Sequence, residues 1–340
     1  MTEQAKPARR QRKLRTFSAF GDVRKMPSEY EIVTHGQNWN TRDDRLSTFE
    51  QNPSSPMNLW FLTYREHSPL QVDDWNGFKD PDQVSYRSYV HLQADEQTKL
   101  DGMLDSYAES GAVESLSAEQ VQSLASAFAP SRYLVHGLQL VEAYIGYMGP
   151  SSYITSAAGY ANADFLRRVT MIAYRTRELQ LAHPESGIGV NERQLWEQHP
   201  AWQPAREAIE RSLVAYDFGE AFTAANLVLG PTLDDVLIRQ LGELSKSRGD
   251  DLTWLLCGKL AEDSARRNRW SGTLARYCVE QRPSNADALR KWIDRWSVRA
   301  DAAAEGLAEL LGVPAADVVA GARAARETFH AGLLDAPAPA

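Results

Sequence analysis

Stretches 151–181, 204–229, 251–281 and 285–311 each exceed twenty residues, read as helical, and carry small or apolar side chains on more than one side. A helix with one apolar stripe can lie on a surface, but one that is apolar nearly all round must be enclosed by other helices. No segment shows convincing period-two alternation, so the fold class predicted is mainly α, a bundle of long helices. Shorter stretches join it. Tyr133 to Met148 ends at Gly149-Pro150, and Ser117-x-x-Gln120 opens a helix carrying Val121, Leu124 and Phe128 on one stripe. Asp80-Pro81-Asp82-Gln83 predicts a capped helix start, 204–229 is expected to stop at Gly230-Pro231, and Ser284-x-x-Asp287 is expected to cap the last long helix.

The segment before residue 80 is different. It holds Pro27, Pro53, Pro56 and Pro69 among many rings, including Tyr30, Trp39, Trp60, Phe61, Tyr64, Trp75 and Phe78. So much aromatic surface argues against disorder, and eighty residues without structure do not fit inside a self-contained domain. An extended segment ordered by lying across other surfaces meets both constraints, either on a partner chain or on its own helices. Ahead of it, Lys6, Arg9, Arg10, Arg12, Lys13 and Arg15 precede Phe17 and Phe20. That cluster reads either as a solvated tail or as an arm for an acidic partner. The division expected is 1–80 arm and interface segment, 81–331 helical domain, and 332–340 an Ala/Pro tail.

Composition removes several classes. A chain of 340 residues, 43% of them hydrophobic, supports a large core. A mean hydropathy of −0.45 and the lack of an apolar run of about eighteen residues argue against a membrane span. The first residues carry no apolar segment after their charges, so a cytoplasmic location is expected. A net charge of −8 speaks against a nucleic-acid binder. Cys257 and Cys278 read as buried reduced thiols. The seven histidines form no metal-ligand spacing, and His136 is expected to be a satisfied core histidine. Glu327-x-x-His330 is the one intact Glu-x-x-His and has no second copy. Gly187-Ile188-Gly189 follows no strand and is not a dinucleotide fingerprint.

Two segments carry a pattern with its chemistry missing: Asp164-Phe165-Leu166-Arg167-Arg168 and Asp263-Ser264-Ala265-Arg266-Arg267. Each resembles the Asp-Glu-x-Arg-His segment by which helical di-iron oxygenases bind metal. The metal-bearing positions read Phe165 and Arg168 in one, Ser264 and Arg267 in the other. Phenylalanine has no donor atom, and a guanidinium is a permanent cation. Glu142, Asp217 and Glu220 lie among apolar neighbours. They read either as remnants of iron ligands or as partners, with Asp164 and Asp263, of Arg167, Arg168, Arg266 and Arg267.

The likeness extends from about Lys13 to Ala300. Met26-Pro27-Ser28-Glu29-Tyr30, Pro56-Met57-Asn58-Leu59-Trp60, Ser68-Pro69-Leu70 with Asp74-Trp75, and Asp80-Pro81-Asp82-Gln83 with Tyr86-Arg87 carry it first. The core adds Ala173-Tyr174-Arg175-Thr176-Arg177-Glu178-Leu179, Asp217-Phe218-Gly219-Glu220-Ala221-Phe222 and Arg269-Trp270-Ser271. In these segments the chain resembles the β (small) subunit of the hydroxylase of bacterial multicomponent monooxygenases, nearest the toluene, alkene and isoprene branch, with phenol and methane hydroxylases as wider relatives. The resemblance implies a ferritin-like bundle acting as a non-catalytic structural subunit. It implies α and γ hydroxylase subunits as partners, in a dimer of αβγ protomers, with the di-iron site in α. It further implies electrons from NADH through a FAD and iron–sulfur reductase and a Rieske ferredoxin, and an effector protein. No cofactor and no catalytic residue are expected in this chain. The reaction implied is hydroxylation or epoxidation of an aromatic hydrocarbon or alkene. The rival readings are a self-sufficient di-iron oxidase with unusual ligands and an unrelated helical scaffold.

Overall fold

The computed structural model describes residues 27–41 and 55–335, and among them there is no strand. The basic cluster at 6–15, with Phe17 and Phe20, and the end of the 332–340 tail lie outside the described residues. In chain order the helices are α1 (Glu29–Thr34), α2 (Pro56–Phe61, continued by a π-helical turn Leu62–Glu66), α3 (Tyr86–Ser110) and α4 (Ala118–Ser123, continued by a π turn Leu124–Phe128). Next come α5 (Ser131–Met148), α6 (Ser152–Ala182), α7 (Glu192–Gln198) and α8 (Gln203–Ser212). The set closes with α9 (Phe218–Ser247), α10 (Asp251–Gln281), α11 (Asn285–Leu311) and α12 (Ala315–His330).

Helix α9 is the axis of the bundle. Every residue from Ala221 to Ile238 is buried, with α5, α8, α10, α11 and α12 packed around it. By length and composition α9 is apolar enough to cross a membrane, which the sequence reading missed, and its most apolar window is 100% buried inside the bundle. Its start corrects one expectation. The chain breaks at 213–217, where Asp217 Oδ1 caps the helix by accepting from the Glu220 amide at 3.0 Å and the Ser68 hydroxyl at 2.9 Å.

Gly230-Pro231 does not end the helix either. Proline cannot donate to the carbonyl four residues back, here Leu227, and His330 Nε2 reaches that oxygen at 2.7 Å from α12. A π turn over Thr223–Leu229 precedes the proline and a second, Asp235–Gln240, follows it. Gly230 is needed for a different reason. A Cβ there would stand 2.6 Å from the Ala225 carbonyl and 3.0 Å from the Arg267 guanidinium carbon, so glycine lets α10 approach.

Other helix starts differ in detail. Asp80 does not cap a helix. Its buried carboxylate accepts from the Asp82 and Val84 amides at 3.2 and 3.1 Å, closing a turn. Helix α3 begins after Ser85, where Ser85 and Ser88 cap one another. Ser117 caps α4 as expected. Ser284 makes no side-chain cap; Asn285 instead donates to the Gln71 and Cys278 carbonyls at 2.8 and 2.7 Å and ties the start of α11 to the N-terminal segment.

That segment contains the short helices α1 and α2, so it is not wholly extended, and its rings pack on the chain's own helices. Trp60 meets Tyr64 and Tyr216 at 4.6 and 4.9 Å and donates to the Tyr144 hydroxyl at 3.0 Å. Trp39 stacks on Phe61, Trp75 meets Phe218 edge-on, and Phe78 lies against Tyr277. Cys257 and Cys278 are buried and unbridged. His136 is on the exposed side of α5, not in the core.

Candidate functional site

The two incomplete motifs lie on α6 and α10, and the bundle brings them face to face. Asp, Arg and Arg at i, i+3 and i+4 occupy one side of each helix. The pairing is reciprocal. Arg167 donates to Asp263 at 2.6 Å, and Arg266 lies 2.6 Å from Asp164 and 2.8 Å from Asp263. The second arginine of each motif goes elsewhere. Arg168 and Arg267 both donate to Asp234, one to each oxygen, each at 2.6 Å. Asp234 sits between the two π turns of α9. From α3, the Tyr89 hydroxyl donates to Asp164 at 2.8 Å, and the Gln93 amide donates to Asp164 and Asp263 at 2.9 and 3.1 Å.

The four residues expected from the resemblance to be degenerate ligand positions all reach this centre. Phe165, Arg168, Ser264 and Arg267 line one cavity of about 20 Å³, room for about one water molecule. The Arg267 guanidinium lies 5.3 Å from the centre of the Phe165 ring, a cation–π contact. The Ser264 hydroxyl bonds back to the Leu260 carbonyl at 3.3 Å. A carboxylate-bridged di-iron centre takes a Glu-x-x-His from each of two helices and a Glu from each of two more. These residues do not fit such a group. A phenyl ring and a helix-bonded hydroxyl stand where carboxylates are needed, and two guanidiniums stand where imidazoles are needed. Glu327 and His330 do not supply the lack, since Glu327 is exposed and His330 is committed to Leu227. Among the described residues no group of three or more His, Cys, Asp or Glu is placed to hold a metal.

The electrostatics follow from burial against pairing. Burial opposes ionisation of Asp234, but the Arg267 and Arg168 guanidiniums outweigh it and hold its carboxyl below the usual range. Asp164 goes the other way. Burial and the neighbouring Asp263 push its carboxyl up to about 6 against the pull of Arg266. Glu142, on α5, is fully buried, and neither of its oxygens has a hydrogen-bond partner; the side chain of Asn226, in the first π turn of α9, is likewise unpartnered. Burial pushes the Glu142 carboxyl up to about 8, against the attraction of Arg267.

A pH prediction follows. A carboxyl raised from 4.5 to about 8 is neutral in the folded chain at pH 7 and ionised in the unfolded one. Folding is therefore penalised increasingly as pH rises from about 4.5 to about 8, and the penalty is constant above that. Glu142→Gln removes it. The variant is expected to match the parent near pH 4.5 and to gain stability up to pH 8, by at most about 5 kcal/mol. Thermal unfolding across that range is the check; a gain that does not grow with pH would contradict it.

The structure assigns the pairings that the sequence left open, and it corrects three of them. Glu142 is buried without an ion-pair or hydrogen-bond partner. Asp217 is a helix cap, and Glu220 pairs with Arg295 at 2.8 Å and accepts from the Trp296 indole at 3.2 Å. Neither meets the four arginines. Asp234, the residue that does, was missed by sequence reasoning. One signal was available, an Asp234-Asp235 pair in the most apolar helix of the chain.

Comparison with known proteins places this arrangement in a family. The family described as Methane/Phenol/Alkene Hydroxylase matches residues 60–282. The toluene-4-monooxygenase hydroxylase subunit beta of Ectopseudomonas mendocina is 38% identical over 88% of this chain and 90% of its own length. The phenol 2-monooxygenase oxygenase component of Pseudomonas sp. (strain CF600) is 25% identical over 90% of each. Among solved structures, a chain of toluene 4-monooxygenase with toluene bound in its resting active site superposes with a TM-score of 0.82 at 37% identity, covering 92% of this chain and 100% of that one. A chain of xenon-pressurised phenol hydroxylase from Pseudomonas sp. OX1 shares the fold, with a TM-score of 0.81 at 20% identity over 98% of this chain and 97% of that one. The bundle is thus of the ferritin-like class, and the chain belongs to the methane, phenol and alkene hydroxylase family, as a relative of the toluene-monooxygenase β subunit.

Proposed function

We propose that this chain is the non-catalytic, structural β subunit of a di-iron hydroxylase in a multicomponent monooxygenase that hydroxylates or epoxidises an aromatic hydrocarbon or alkene. One observation carries the reading. Where a di-iron protein of this fold class needs donors, the chain places Arg168 and Arg267 on a shared Asp234. That centre holds α6, α9 and α10 together by charge and leaves no set of lone pairs for iron. The metal, and the oxygen chemistry with it, belongs in this reading to the large α subunit. NADH, FAD and iron–sulfur clusters belong to the electron-transfer components. The γ subunit, effector protein and Rieske ferredoxin complete the assembly, in the cytoplasm.

The contribution of this chain is shape and surface. The 1–80, 81–331 and 332–340 division is retained in the reading, with the interface role resting on 27–80. Ile32, Val33, Met57 and Leu59 of α1 and α2 are between 45% and 50% exposed. The rings beside them are fixed on the bundle, and an apolar surface on a rigid support suits a permanent subunit contact. Co-expression with a large hydroxylase subunit, followed by light scattering, tests the reading. A stable hetero-oligomer is expected, with hydrocarbon oxidation present only when both chains are. Oxidation by this chain alone, or no association, would overturn it.

A further inference from the structure

Pairing satisfies most of the buried centre but leaves certain atoms over. Trp270, on α10, is 2% exposed, and among the described residues its indole N–H has no acceptor. The Nε–H groups of Arg168 and Arg267 are orphaned in the same way. Acceptor sites are left over too. A carboxylate offers about four lone-pair sites. Asp164 receives Tyr89, Gln93 and Arg266, and Asp263 receives Gln93, Arg167 and Arg266, so about one site is left on each. Two small cavities lie against these groups. The first, of about 20 Å³, is bordered by Asp164, Asp263, Arg168 and Arg267. The second, of about 10 Å³, is bordered by Asp164, Arg267, Asp80 and Trp270. Ala161, Asp164 and Arg267 border both, so the two spaces are neighbours.

We propose that each cavity binds one water molecule, and that the two waters complete the hydrogen bonding of the centre. In the first cavity the water accepts from the Nε–H groups of Arg168 and Arg267 and donates to Asp164 and Asp263. In the second it accepts from the Trp270 indole and donates to Asp164 and Asp80. Both sites are built from this chain's residues only and are independent of its role as a subunit. Three observations select water. The first is size. A buried water needs about 10–15 Å³ of such space, so each cavity has room for about one and for nothing larger. The second is polarity. Each cavity presents both N–H donors and carboxylate acceptors, and its occupant must accept and donate at once.

The third is charge. The guanidiniums of Arg167, Arg168, Arg266 and Arg267 face the carboxylates of Asp80, Asp164, Asp234 and Asp263, and burial keeps Glu142 neutral at pH 7. The charges balance, so no net charge is left to hold an ion. A cation would be repelled by the orphaned N–H groups and an anion by the carboxylates. Water carries neither cost. Its effect is to join two separate clusters. Arg168 and Arg267 share Asp234, while Arg167 and Arg266 serve Asp164 and Asp263. The first water links these into one network, and the second extends it to Trp270. Buried ion pairs stabilise only where further hydrogen bonds satisfy their remaining lone pairs and protons, and the waters supply these.

Two measurements on the full chain test this. A high-resolution crystal structure is expected to show an ordered water at both places. One should lie within hydrogen-bond distance of Trp270 Nε1 and an Asp164 oxygen, the other of the Arg168 and Arg267 Nε atoms. Oxygen-17 relaxation dispersion counts waters held inside a folded protein in solution. Ala161 is buried and borders both cavities, so the added methyl groups of Ala161→Val are expected to expel the waters and lower that count by about two, with an unchanged helical signal. Density at neither place or at only one would overturn the proposal, as would equal counts in parent and folded variant. The crystal structure of the parent decides even where the variant does not fold. Anomalous scattering from iron at either place would overturn both this proposal and the function proposed above, whereas empty density would overturn this one only.

Discussion

Asp234→Ala is expected to lose about 3–5 kcal/mol or more, because one substitution leaves two buried guanidiniums without a counter-charge. Arg168 and Arg267 have side chains only 6% and 4% exposed, and both depend on that carboxylate. Natural domains have only about 5–15 kcal/mol of total stability, so the variant should be on the edge of unfolding. Asp82→Ala is the contrast. Asp82 pairs with Arg269, whose side chain is 52% exposed, and such pairs contribute about 0–1 kcal/mol. Denaturant midpoints of the two variants decide the matter. Equal shifts would mean that the centre does not hold the three helices together.

Restoring the donors should damage the chain before it makes a metal site. In Phe165→Glu/Arg168→His/Ser264→Glu/Arg267→His, Asp234 loses both cations while two further carboxylates enter beside Asp164 and Asp263. Breaking a buried pair costs about 3–5 kcal/mol. The two losses do not simply add, because both arginines share one partner. Several kcal/mol of destabilisation in metal-free buffer are expected, read by thermal unfolding. A quadruple variant as stable as the parent would show that the arginines are not held in buried pairs.

The parts of the fold legible in the sequence were those with local signals. Helix α5 ends at Met148, before Gly149-Pro150 as expected, and α6 ends at Ala182, before His183-Pro184, since breakers act through the backbone itself. Helix α9 defied the same rule at Gly230-Pro231. Its repair comes from His330 on α12, which no local pattern encodes. Asp80-Pro81 was the expected start of α3, but the Asp80 carboxylate closes a buried turn and the helix starts after Ser85, whose cap with Ser88 the sequence reading did not identify. At the site, the two motifs were visible because each carries its charges at helical spacing. Their partner Asp234 was not, because an isolated acid in an apolar helix acquires meaning only when other helices deliver cations to it.

In the function proposed, the centre of this chain is closed by charge pairs and takes no iron. Metal analysis of the chain purified from iron-replete cells, folded by circular dichroism and free of a large subunit, tests it most directly. The expected result is far less than one iron per chain, and about two irons per pair of large and small chains once the complex is assembled. About two irons in the isolated chain, with the Mössbauer signature of a coupled pair, or about four per assembled pair, would contradict it.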